Sequence, residues 1–448
     1  MKSTQPLLLS TLMVVALSAT GAYLISSGVL SSPPSPPNNT DTALHASPSL
    51  SAEAVLPYTL LLPDPHKQAA DRARNLAFYQ KRVKTAPTSF LDHNLLANAY
   101  ITQAKVTHDT SWYLLAQKTA ERSLDLHATN PGAWQVLFAI AQAKHDFVSA
   151  EKLHLQILKA NAGANSAILA NHISQRMAQN QLLEAREAAE LWVKKEPLLS
   201  ALSQLALVEE AQGHYDEALA HLYKGIQREQ TGDTLGSSQA RAWAGRILAK
   251  QGHFGLAERF YQEALRIDPQ NLLAHELQGD LAFKNQDYSK ALAAYSSASV
   301  IDPAPVFLLK QAQVHAALAQ EPQANALKRE AEAALRRELT GNRFGHRREL
   351  ALILLEKNTP TSAQEAQTLM TQEYALRQDP KTVYLFARSL NANHEWGKAQ
   401  EIIQRALDQG AVEGRLLQEA ARTEAHLGDK QKAAAYTRAA QRYDRSLS

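Results

Sequence analysis

An alanine returns along most of this chain at intervals close to 34 residues. The series runs Ala116, Ala150, Ala185, Ala218, Ala257, Ala291, Ala324, Ala366, Ala399 and Ala433, with gaps of 34, 35, 33, 39, 34, 33, 42, 33 and 34. Two stretches lie directly on one another: GHFGLAERFYQEALRIDP ends at Pro269 and QDYSKALAAYSSASVIDP at Pro303. A unit of this length is too short to bury its own apolar face, so neighbouring units must stack to make a core. Glycine is scarce, 18 of 448 residues, which argues against a loop-rich or all-β chain.

With Pro269 and Pro303 taken as position 32, the recurring alanine is position 20. Small residues also stand at position 8 (Gly245, Gly279) and position 27 (Ala264, Ala298, Ala406, Ala440). Tyr261 and Tyr295 sit near position 24, Gly213, Gly252 and Gly428 near position 15, and Pro197 is a further closing proline. This pattern resembles the tetratricopeptide-repeat (TPR) family over roughly residues 88–445. The resemblance implies an all-α, right-handed α-solenoid of about ten antiparallel helix pairs. Small residues let helix axes approach, a turn glycine ends each first helix, and a proline stops each second one. Asp64-Pro65 reads as an N-cap followed by proline at the first helical position, opening one leading helix to about Thr85. The pattern weakens in the first unit, which carries about seven extra residues. It weakens again before Ala324, where Gln313 stands in for the small residue, Pro322 falls in the turn, and about eight residues are inserted after the unit.

The N-terminal part is a different material. Residues 7–30 form an uncharged apolar run of 24 residues, about 36 Å as a helix and long enough to cross a bilayer core of about 30 Å. Lys2 precedes it and the next cation is Lys67. The positive-inside rule therefore places the remainder on the non-cytoplasmic side, in a bacterial periplasm or at the cell exterior. The run reads as an uncleaved signal anchor; the alternative is a signal peptide cut near Thr20-Gly21-Ala22, leaving a secreted or periplasmic chain. Nine of the 18 prolines lie in the first 65 residues, so 31–63 reads as a flexible Pro/Ser-rich spacer. The domain reading is an anchor at 1–30, a spacer at 31–63 and a superhelix at 64–448.

Ten units of 34 residues leave no room for a separate catalytic domain. No cysteine is present, which excludes thiol nucleophiles, disulfides and cysteine-ligated metals. The net charge of +3 is too small for a general nucleic-acid binder. Gly232-Asp233-Thr234-Leu235-Gly236 has nucleophile-elbow spacing but sits between helical units, not after a strand. His275-Glu276 opens like a zinc-protease helix, yet Gly279 occupies the second ligand position. His145, His214, His253 and His394 fall at turn positions, where a ladder along one edge is the sharper reading and plain polar turns the blander one. Arg336, Arg337, Arg343, Arg347 and Arg348 crowd the insertion and read as a solvated loop, or as an anion-binding patch. No cofactor, metal or catalytic residue is expected.

In the family, positions 2, 5, 9 and 12 of each first helix point into a concave groove. Here the resemblance places Asn94, Asn98, Gln135, Gln142, Arg246, Glu276 and Asp280 there, beside Ser174, Ser200, Ser203 and Phe283. Amides at one end suit an extended peptide backbone, with Arg246 as a charge contact. The family's carboxylate clamp is incomplete, since Asn94 replaces its lysine and Ala139 an asparagine. The expectation is a membrane-tethered, non-enzymatic scaffold that binds protein or peptide partners in envelope assembly, secretion or quality control. The alternatives are an enzyme or sensor within the solenoid, or a helical-repeat RNA binder.

Overall fold

The computed structural model describes residues 51–107, 109–160, 165–340 and 346–447, so the apolar run at 7–30 lies outside the described residues. Among those residues every regular element is helical. A short α1 spans Ala52–Val55, and the leading helix α2 spans Pro65–Thr85, capped by the Asp64 carboxylate on the His66 N–H at 2.9 Å. Ten antiparallel pairs follow. They are α3 Phe90–Thr107 with α4 Ser111–Leu126, α5 Pro131–Ala143 with α6 Phe147–Ala160, and α7 Ser166–Ala178 with α8 Leu182–Lys195. Next come α9 Leu199–Ala211 with α10 Tyr215–Ile226, α11 Thr234–Lys250 with α12 Phe254–Ile267, and α13 Leu272–Lys284 with α14 Tyr288–Ile301. The series ends with α15 Pro305–Ala317 and α16 Glu321–Thr340, α17 Arg347–Glu356 and α18 Pro360–Leu376, α19 Pro380–Ala392 and α20 Trp396–Asp408, then α21 Gly414–Leu427 and α22 Lys430–Tyr443.

The recurring alanines do what their spacing requires. Ala116, Ala150, Ala185, Ala218, Ala257, Ala291, Ala366 and Ala399 are fully buried, Ala324 nearly so, and only the terminal Ala433 keeps a little exposure. Position 8 faces position 24: a Cβ on Gly245 would lie 2.5 Å from the Tyr261 ring and 3.1 Å from the Ala257 carbonyl oxygen. Gly279 stands against Tyr295 in the same way.

In the weak unit, Ala312 is fully buried and Gln313 exposed; counted back from Ala324 at position 20, Ala312 is position 8, so the unit keeps its small residue and Gln313 is position 9. Pro322 is the second residue of α16, in the first turn, where the missing N–H costs nothing. Much of the inserted length goes into α16, which runs to 20 residues. Gly232–Gly236 is the entry to α11, with the Asp233 carboxylate capping the Gly236 N–H at 2.9 Å.

The four turn histidines do not share one place in the turn. His145 and His394 take the left-handed turn conformation (φ 56° and 61°) that Gly213, Gly252 and Gly428 adopt elsewhere. His214 and His253 are instead N-cap residues of α10 and α12, one place further on. Neighbouring aromatics differ as well: His145 stacks on Phe147, His394 tilts against Trp396.

Successive first helices touch (α3–α5, α7–α9, α9–α11, α11–α13, α17–α19, α19–α21), whereas successive second helices do not meet to that extent. The ribbon of pairs therefore curves toward its first helices, which line the inner face. The curvature brings its two edges together. Turns within the early pairs meet loops between the late pairs along a seam. Gln378 N–H donates to the Ala178 carbonyl at 2.6 Å, Gln179 Nε2 to Leu376 at 3.1 Å, and Asn180 Nδ2 to Ala406 at 3.1 Å. Further along, Val412 N–H donates to the Ala211 carbonyl at 2.8 Å and Lys284 Nζ to Ser446 at 3.2 Å. Leu182 is buried among Val383, Ala411 and Leu416, and Tyr443 closes over Gly213 and Tyr215.

One stretch departs from the expected spacer. Residues 51–58, assigned by composition to the flexible segment 31–63, form α1 and a docked strap, with Val55, Leu56 and Tyr58 buried against α10–α12. Composition saw the prolines; it did not see that Val55, Leu56 and Tyr58 carry enough apolar surface to be captured.

Candidate functional site

The inner face falls into three stretches. At the first pairs it is open and polar. Asn98 is exposed, with its amide donating to the Asn94 carbonyl at 3.0 Å one helical turn back. Asn94 is half-buried, its side chain against Gly132. Gln135, also half-buried, accepts from Asn171 Nδ2 at 2.9 Å, linking α5 to α7. Asn98 and Gln135 are thus on the same open stretch and retain unused hydrogen-bonding capacity.

The middle stretch is closed. Gln142 is only 3% exposed and belongs to the packing of α5, not to an open groove. Ser174, Ser203, Asn171, Gln175, Gln204 and Arg176 on α7 and α9 are buried as well. Position within the repeat predicted the direction of Gln142, Ser174 and Ser203 but not their enclosure, which depends on how tightly successive first helices are drawn together.

Beyond it lies a ladder of ion pairs. Arg246 is not a free charge: its Nε and Nη2 form a fork on the Glu210 carboxylate at 2.9 and 2.5 Å. Lys250 Nζ joins the same carboxylate at 3.0 Å. Burial alone would raise the Glu210 carboxyl, but Arg246 and Lys250 outweigh it and hold it down at about 2. Burial works against both cations too, and Glu210 overrides it, leaving each above its ordinary value. On the next helices Lys310 reaches Asp280 at 2.6 Å and Glu276 at 3.1 Å, and the Tyr295 hydroxyl donates to Asp280 at 2.7 Å. Glu276 is also close enough to Arg246 to raise its pKa, so the two clusters form one electrostatic row across α9, α11, α13 and α15. Further round the curve, Glu349 on α17 is pulled down to about 2 against the effect of its burial by Arg348, Lys381 and His346.

Glu210, Lys250 and Lys310 are absent from the sequence-based set. Glu210 had a readable signal, being position 12 of its unit. Lys310 had none, because it falls at position 6 of its unit, outside the positions the family directs inward.

The basic cluster is largely neutralised. Arg336 binds Glu332 and Glu365, Arg347 binds Glu373 at 3.3 Å, and Arg348 binds Asp379 at 3.2 Å. Arg337 donates to the Ala333 carbonyl at 3.2 Å; Arg343 lies outside the described residues. With their charges spent on neighbours, these side chains make a poor anion patch. Among the described residues no group of three His, Asp or Glu side chains is arranged to hold a metal ion. No described helix is long and apolar enough to cross a membrane.

Residues 203–271 and 243–304 match a model of the tetratricopeptide repeat. No curated protein sequence matches the chain. Among solved structures, the crystal structure of yeast Tom70 is similar over 85% of this chain and 90% of its own, at 12% identity and a TM-score of 0.37. The Cut9–Hcn1 hetero-tetramer of the APC/C is similar over 84% and 85%, at 11% identity and 0.38. Naa15/Naa10 bound to HypK is similar over 85% of this chain and 62% of the other, at 16% identity and 0.28.

Proposed function

We propose that this chain, whose residues 203–304 match a model of the tetratricopeptide repeat, is a membrane-tethered tetratricopeptide-repeat scaffold whose inner face binds an extended peptide or a protein partner. The observation that carries this reading is the division of polar groups along the first helices. Inner-face charges of the α9–α15 stretch are engaged with one another, whereas at the open end Asn98 is exposed and Gln135, half-buried, gives its amide oxygen to Asn171. A row of amides with spare donors and acceptors recognises peptide main chain, which presents one N–H and one carbonyl per residue.

The proposed partner site is therefore Asn94, Asn98 and Gln135, with Glu276 and Asp280 as half-exposed acceptors further along and Arg246 and Gln142 in supporting roles. The tether is the apolar run at 7–30, with Lys2 before it and no cation until Lys67 supporting a non-cytoplasmic solenoid. Envelope assembly, secretion or quality control is the process this placement suits. The chain's near-neutral charge favours protein over nucleic acid.

The test is partner capture by the tagged chain in its own cell after mild cross-linking. Asn98→Ala with Gln135→Ala should weaken capture by roughly 10- to 30-fold, at about 1 kcal/mol per neutral hydrogen bond; Asn98→Ala alone should leave thermal stability unchanged, whereas Gln135→Ala also orphans the buried Asn171 amide. Undiminished capture would remove the open stretch from consideration.

A further inference from the structure

The strap at the N-terminus is held in the manner of a peptide ligand. Arg241, on α11, has no solvent exposure. Its Nε donates to the Leu56 carbonyl at 2.8 Å and its Nη2 to the Val55 carbonyl at 3.4 Å, while both terminal nitrogens fork onto Glu229 at 2.8 and 3.1 Å. From α12, Glu263 Oε1 accepts from the Tyr58 N–H at 2.6 Å and Arg266 Nη2 donates to the Tyr58 carbonyl at 3.1 Å. Four main-chain groups of the strap are thus read by three side chains from two helices, and Glu53 pairs with Arg259 at its start. The strap's side chains fill the site: Val55 and Leu56 join the core formed by Tyr223, Ile226 and Phe260, and Tyr58 lies beside the Arg241 guanidinium, 5.6 Å from its ring centre. On either side, Ser51 and Thr59 are exposed.

We propose that the α10–α12 edge is a peptide-binding site separate from the inner groove, that its ligand class is a short helical turn running into an apolar-Leu-Pro-Tyr segment, and that the chain's own residues 53–58 occupy it as a releasable ligand in cis. Side-chain reading of main-chain groups, with apolar anchors on either side of a proline, is a chemistry of short-peptide capture. Proline at Pro57 suits it, since it limits the conformations the segment must give up on docking. The consequence rests on the tether reading: the N-terminal extension leaves the solenoid at α10–α12, not at α2. Only residues 31–50 then lie between the apolar run and the docked strap in the sequence. The unit that carries Arg246 and Lys250 becomes the one held nearest the anchor.

The test uses the full chain in detergent and a fluorescein-labelled peptide of residues 51–62. In the wild type the cis strap competes at an effective concentration on the order of millimolar, so the peptide should bind at least 10-fold more weakly than to a Leu56→Asp, Tyr58→Ala variant. Adding Glu263→Gln and Arg266→Gln to that variant should remove the gain. Equal binding to wild type and released variant, or binding to neither, overturns the proposal and leaves the strap as fixed packing. Should the released variant lose its helical circular dichroism, the Glu263→Gln, Arg266→Gln chain serves alone, since Arg266 is half exposed. Faster amide exchange at Tyr58, with the helices unchanged, supports the site; unchanged exchange refutes it. Membrane fractionation of the wild type reports on the tether separately: a soluble chain would sink the tether reading and leave the peptide result standing.

Discussion

Replacing Glu210 by glutamine tests whether the inner ladder is a structural device. The carboxylate is 4% exposed and receives Arg246 and Lys250 at 2.5 and 3.0 Å, while those cations retain 28% and 21% of their side-chain exposure. Removing one partner of a fully buried pair costs about 3–5 kcal/mol because the remaining charge is stranded. The partial exposure of both cations reduces this to roughly 2–3 kcal/mol. A second route gives a similar figure. The carboxyl moves from its ordinary 4.5 to about 2, and at 1.36 kcal/mol per unit this is roughly 3 kcal/mol of linked stability. The pKa is depressed on folding, so the contribution is present above pH 4.5 and is lost as pH falls through 2. Urea unfolding followed by circular dichroism at pH 7 and pH 3 should show Glu210→Gln destabilised at pH 7 and less sensitive to acid than the wild type. Glu349 titrates over the same window in both proteins, so their difference isolates Glu210. Adding Arg246→Met should recover part of the loss by removing a stranded charge. Equal stability at pH 7, or parallel acid profiles, would refute the reasoning.

Gly245→Ala should cost about 1–3 kcal/mol, because Tyr261 can move only so far and the Ala257 carbonyl is backbone; an unchanged thermal melt would place the helix contact elsewhere. Tyr443→Ala should cost about 2 kcal/mol by unpacking the seam over Gly213 and Tyr215, and should speed amide exchange at Val412, whose N–H bonds Ala211. Protection of Val412 equal to wild type would mean that the two edges do not meet in solution. A reporter fused after Ser448 should be active only outside the cytoplasm, and cytoplasmic activity would contradict the assigned orientation.

Local rules carried the helix pairs. Each depends on contacts within one unit or with the next: buried alanine at position 20, glycine against tyrosine at positions 8 and 24, and the Asp64-Pro65 helix start. The seam and the docked strap were not legible, because each joins residues about 160 to 230 positions apart, and the closed middle of the groove depends on how tightly successive first helices are drawn together. Small rotations between pairs accumulate along a solenoid, and no short motif records their sum. The candidate site suffered most. Repeat position gives a side chain's direction, yet whether Arg246 is free or spent on Glu210 depends on the neighbouring unit's choice of residue. Asn98, by contrast, stands on the first pair and stays exposed.

The central claim is that partners are received on the inner face of the first helices. A photo-cross-linking residue placed singly at Asn98, at Gln135 and, as an outer-face control on α6, at the exposed Leu155 tests it in the native cell. The account predicts a shared cross-linked partner from the first two positions and none from Leu155. A partner trapped from Leu155 and absent at Asn98 and Gln135 would contradict it.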